Sequence, residues 1–102
     1  MLPVPAPLAE HLPTLLWDVA PESIDPQAMY STIIERVIQR GSSDDWAAML
    51  SYYGRALVQQ VVTSAPYLSD AAIAAVCQAF GLDKSQLRSF QRKQSILQTF
   101  NS

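Results

Sequence analysis

Proton shuttling, nucleophilic attack and metal binding draw on histidine, cysteine and clustered carboxylates. The 102-residue chain holds one histidine, His11, and one cysteine, Cys77. His11 falls in a proline-rich stretch, and Cys77 lies within the alanine-rich run DAAIAAVCQAF, where an inert, buried thiol is expected rather than a nucleophile. A single cysteine makes no internal disulfide, and one cysteine with one histidine makes none of the usual zinc sites. The adjacent pair Asp44 and Asp45 resembles a carboxylate dyad only on paper. Neighbours on a helix diverge, and two acids in a first turn are accounted for by the helix dipole. All three glycines, Gly41, Gly54 and Gly81, read as helix ends, so there is no glycine-rich phosphate loop. The expectation is a protein that is not an enzyme, with no catalytic residue, metal or cofactor.

Two surfaces carry chemistry suited to recognition. The first lies in ERVIQRGSSDDWAAMLSYYGR, residues 35–55. Arg36 and Arg40 stand four apart on one helix face, a like-charge arrangement that something must offset. The helix C-terminal dipole, Asp44 and Asp45, or a carboxylate-rich partner would each do so, and Arg55 joins the group. Both an internal salt-bridge corner and a protein-binding patch made of Arg36, Arg40, Trp46, Tyr53 and Arg55 fit this pattern. The second surface lies in SDAAIAAVCQAFGLDKSQLRSFQRK, residues 69–93, read as a helix-turn-helix. Val76, Phe80, Leu82, Leu87 and Phe90 would be buried, with Gly81 at the turn and Cys77 where the helices approach. Lys84, Gln86, Arg88, Arg92 and Lys93 would then face a DNA duplex. Any helix–glycine–helix corner needs similar apolar spacing.

These side chains need elements to position them. Pro3, Pro5, Pro7 and Pro13 predict an irregular arm over residues 1–14, followed by a helical domain over 15–102. Trp17 is expected to anchor the start of that domain in the core. Asp25 before Pro26 is an N-cap signal for a helix running to about Arg40, with Met29, Tyr30, Ile33, Ile34, Val37 and Ile38 on its apolar face. Gly41 is expected to stop it in a left-handed conformation. Ser42 or Ser43 caps a short helix ended by Gly54, with Trp46, Met49, Leu50 and Tyr53 on one side. Arg55 to Ala65 forms the next, stopped by Pro66. Ser69 caps a helix ended by Gly81, and the Asp83/Gln86 capping box opens a last one through about Phe100, with Leu87, Phe90, Ile96 and Leu97 as its apolar side. The fold class is all-α, a single compact domain of about five helices.

Apolar residues make up 49% of the chain and charged residues 16%, below the usual quarter, so part of the surface is available to a partner or a second copy. A net charge of −2 gives no general attraction to nucleic acid or anionic lipid. The acids crowd the N-terminal part, however, and Lys84, Arg88, Arg92 and Lys93 come after the last acid, Asp83. The start, MLPVPAPLAEHLPTLLW, has no basic segment and is cut by prolines, so it reads as neither signal peptide nor membrane span. A cytoplasmic location is the expectation.

Taken in order, LWDV, IIERVIQRG, DDW, LSYYGR and PYLSDAAI resemble a group of small bacterial all-helical proteins of unknown biochemistry. Their shared pattern is a Trp-Asp segment, Arg-Val-x-x-Arg-Gly, acidic-Trp, Tyr-Gly-Arg and Tyr-Leu. The likeness spans roughly residues 15–88 and carries over to Trp17, Arg36, Gly41, Trp46, Tyr53, Gly54, Arg55, Tyr67 and Leu68. Such proteins are often encoded beside abortive-infection-type nucleotidyltransferase toxins, so the resemblance implies an antitoxin-like role as a toxin's partner.

Overall fold

A computed structural model of the chain describes residues 4–5, 8–66 and 68–101, with side chains through Ser95. The expectations for Tyr67, Ile96 and Leu97 lie outside the described residues or side chains. Six helices are present: α1 (Leu8–Leu15), α2 (Tyr30–Arg40), α3 (Ser43–Tyr53), α4 (Arg55–Ser64), α5 (Asp70–Phe80) and α6 (Arg88–Asn101), with 3-10 turns at Pro21–Ser23 and Lys84–Gln86. No strand occurs among the described residues. The all-helical expectation therefore holds, with one helix more than expected.

The extra helix is α1, which replaces the irregular arm over residues 8–14. Pro13 sits inside it, where its ring opposes the preceding turn and removes a hydrogen bond. The compensation is burial: Leu8, Leu12, Leu15 and Leu16 fall at i, i+4, i+7 and i+8 and are all buried. That stripe lays α1 across α2 and α3.

Helix α2 is the hub, packing against α1, α3, α4 and α5 through the buried Ile33, Ile34, Val37 and Ile38. Asp25 caps as expected, accepting from the N–H groups of Gln27 and Ala28. The regular helix, however, begins only at Tyr30, after a separate turn over residues 26–29. Gly41 also departs from expectation, because its backbone is extended at φ −77° and ψ 158°. A side chain there would place Cβ 2.6 Å from the Val37 carbonyl oxygen and 3.1 Å from the Asp45 Cβ. Glycine is required for a close approach rather than for a left-handed turn, so α3 can start directly against the end of α2.

Ser42 caps α3 in a reciprocal box with Asp45, and Ser69 caps α5 through the Ala72 N–H. Gly81 is left-handed at φ 65°, ending α5 as expected. The last helix starts later than expected. The Asp83/Gln86 box closes only the 3-10 turn, and α6 starts afresh at Arg88. It is held on α4 by Ser89, whose buried hydroxyl donates to the Ala65 carbonyl at 2.7 Å. The Cα radius of gyration is 14.6 Å, a little above the roughly 13 Å of a spherical domain of this length. No described helix is long and apolar enough to cross a membrane.

Candidate functional site

The turn at the end of α1 brings together Trp17, Asp18 and the Arg36 guanidinium. Leu16 donates its N–H to Leu12 and Val19 donates to Leu16. Leu16 is buried and Val19 packs on the core, which leaves Trp17 and Asp18 between them facing outward. Trp17 is 69% exposed, the largest exposure of any large apolar side chain among the described residues. The expectation that it anchors the core is overturned, since the adjacent Leu15 and Leu16 already occupy that position.

Arg36, one turn before the end of α2, fixes this turn. Its Nη1 donates to the Leu15 carbonyl and to Asp18 Oδ1, both at 3.0 Å, and its Nη2 donates to Asp18 Oδ2 at 2.9 Å. The planar fork thus satisfies a carbonyl left open at the end of α1 and clamps a carboxylate bidentately. The Arg36 hydrogen bond holds the Asp18 carboxyl below its ordinary value. Arg40 lies one helical turn beyond, exposed, and its charge also acts on Asp18. The like-charge tension along α2 is thereby offset by Asp18, an acid outside the expected set, while Asp45 is engaged by Ser42 and His11.

The remaining expected partner-binding residues do not join this turn in one cluster. Tyr53 donates its hydroxyl to the Pro26 carbonyl at 2.7 Å. Burial, with lesser contributions from Tyr52 and Asp25, pushes its phenol up to about 12. Arg55 lies over the Phe80 ring at 4.9 Å and donates to the Ala79 carbonyl, tying α4 to the end of α5. Trp46 is half-buried against the core. Of the five, Arg40 is exposed and acts by its charge on Asp18, the residue after Trp17.

Two of the C-terminal cations, Lys84 and Lys93, are engaged internally. Lys84 lies over the Phe90 ring at 5.2 Å, Gln86 accepts from the Asp83 N–H, and Lys93 pairs with Asp70 at 2.7 Å. Arg88 and Arg92 are exposed. Val76, Phe80 and Leu87 are buried as expected, whereas Leu82 and Phe90 are partly open. Leu82 and Phe90, with Ile73 and the half-buried Cys77, line a groove of about 570 Å³.

His11 is more than the arm residue expected from sequence. Its Nδ1 lies 2.5 Å from Asp45 Oδ2, and Asp45 is only 1% exposed. Burial opposes ionisation of Asp45, but the Ser42 N–H and His11 outweigh it and hold the carboxyl below its ordinary 3.8. This contact joins α1 to the capping box of α3. No group of three or more histidine, cysteine or acidic side chains able to hold a metal occurs among the described residues.

The geometry defines a small all-helical protein with an exposed tryptophan on a turn that Arg36 pins through Leu15 and Asp18. A family model described as a family of unknown function, DUF6922, matches residues 11–62, just over half of the sequence, and the chain belongs to this family. The matched region begins at His11 and ends within α4, so it takes in the Trp17 turn, Arg36, Arg40 and the Asp45 box. It is shorter than the resemblance suggested and leaves out α5 and α6. No curated protein and no solved structure matches the chain.

Proposed function

We propose that the chain is a non-catalytic protein-binding module, an antitoxin-like partner of a nucleotidyltransferase toxin, whose contact face is centred on Trp17 and Arg40. The observation that carries this reading is the exposed Trp17 on a turn that Arg36 has already immobilised. An aromatic anchor on a fixed backbone turn loses less conformational entropy on docking than one on a loose segment, and tryptophan and arginine are the side chains over-represented among binding hot spots. Covering the open part of Trp17 is worth roughly 3 kcal/mol at 25 cal/mol per Å² of apolar area. The toxin assignment rests on the resemblance carried by the ordered motifs from LWDV to PYLSDAAI, and inhibition would come from covering the partner's catalytic cleft. Co-expression with the product of the adjacent gene tests it. Capture of that product by the wild type and its loss with Trp17→Ala support the proposal; no association at all, or capture unchanged by the substitution, defeats it.

Duplex binding through residues 69–93 is the weaker alternative, because Lys84, Gln86 and Lys93 are held by neighbours. It requires a complex that weakens steeply with salt. A homo-oligomeric role would show directly in sedimentation.

A further inference from the structure

A shallow hollow of about 260 Å³ lies between α2 and α4, lined by Tyr30, Ser31 and Glu35 on one side and by Leu57, Gln60, Val61 and Pro66 on the other. It is too small for a typical small-molecule ligand and of the scale of one long side chain. Tyr30 is 40% exposed, although it belongs to the apolar set of α2. Glu35 is half-buried in the wall, and no hydrogen bond or ion pair to its carboxylate occurs among the described residues. The adjacent cation, Arg36, is turned to the other side of the helix and spent on Asp18.

We infer that this hollow receives an arginine side chain from a protein partner, with the guanidinium against the Glu35 carboxylate and the Tyr30 ring. Charge complementarity selects the occupant: the hollow offers a carboxylate, an aromatic ring and the amide of Gln60, and no cation lines it among the described residues. Guanidinium is weakly hydrated, stacks on aromatic rings and meets a carboxylate bidentately, and its methylene stem would run along Leu57, Val61 and Pro66. Burial raises the Glu35 carboxyl above its ordinary value, with Arg36 opposing that rise. The fold therefore carries a carboxylate that is costly in the free protein and that an incoming cation would relieve.

The inference rests on the protein-binding reading but addresses a different surface from Trp17. Its test is an amide NMR titration with N-acetyl-arginine methylamide, set against the citrulline analogue, which is neutral, and the lysine analogue. Saturable shifts at Tyr30, Glu35 and Gln60 with the arginine probe are expected, weakened about tenfold for citrulline and about tenfold by Glu35→Gln. A retained melting temperature shows that this variant is folded. Equal response to arginine and citrulline, equal response to arginine and lysine, insensitivity to Glu35→Gln, or no saturable shift overturns the inference. These outcomes are independent of whether Trp17→Ala abolishes capture of the adjacent gene product.

Discussion

Replacing Asp45 with alanine tests how the N-terminal helix is held. Its buried carboxylate accepts from the Ser42 N–H at 2.9 Å and from His11, and so closes the capping box of α3 while fastening α1 across it. A hydrogen bond from a backbone N–H to a buried carboxylate is worth about 1.5–3 kcal/mol. The His11 contact adds no more than about 1 kcal/mol, because the imidazole is partly open to water. The substitution should therefore cost about 2–4 kcal/mol, a large share of the roughly 5–15 kcal/mol typical of such a domain. Urea denaturation monitored by circular dichroism at pH 7 measures it, and a cycle with His11→Ala isolates the contact between α1 and α3. The Asp45 carboxyl is depressed in the fold, so its contribution is fully present above the unfolded value of 3.8 and is lost as pH falls through the lower folded value. The gap between wild type and variant should persist down to about pH 4 and close below it. A loss under about 0.5 kcal/mol at pH 7 would refute the reasoning.

Other substitutions probe the same geometry. Gly41→Ala should destabilise by about 1–3 kcal/mol despite an accessible backbone conformation, because the new Cβ meets the Val37 carbonyl oxygen; a stabilised variant in the same urea assay would contradict this. In an ultraviolet titration one tyrosine should ionise near pH 12 and vanish in Tyr53→Phe, which also loses about 0.5–1.5 kcal/mol with the hydrogen bond to Pro26. Glu35→Gln should leave stability equal or higher at neutral pH. The folded Glu35 carboxyl is raised, so the native state binds more protons between the ordinary 4.5 and the folded value, and wild-type stability should fall as pH rises through that window. That slope should be absent in the variant.

Much of the fold was legible because its signals are local. Ser42, Ser69, Gly54 and Gly81 each mark a helix boundary through a backbone requirement of one or two residues, and α3, α4 and α5 fall where those residues put them. Helix α1 was hidden because the local penalty of Pro13 competes with a tertiary gain, the burial of Leu8, Leu12, Leu15 and Leu16, whose helical spacing was nonetheless present in the sequence. The last helix was overextended because a capping box specifies only a first turn and leaves the conformation of later residues open. At the candidate site, composition identified tryptophan and arginine but could not distribute them between core and surface. Trp17 stands outside because two adjacent leucines already fill the core beneath it. Arg36 finds its acid eighteen residues upstream, beyond the reach of helical spacing rules.

Calorimetric titration of the adjacent gene's product with wild type and Trp17→Ala is the most direct test of the proposed binding face. Because Trp17 is largely solvent-exposed, the variant should melt within about 0.5 kcal/mol of wild type, yet bind at least about 30-fold more weakly, the loss of a hot-spot side chain. Equal affinity for the two proteins, with both folded, would contradict the account.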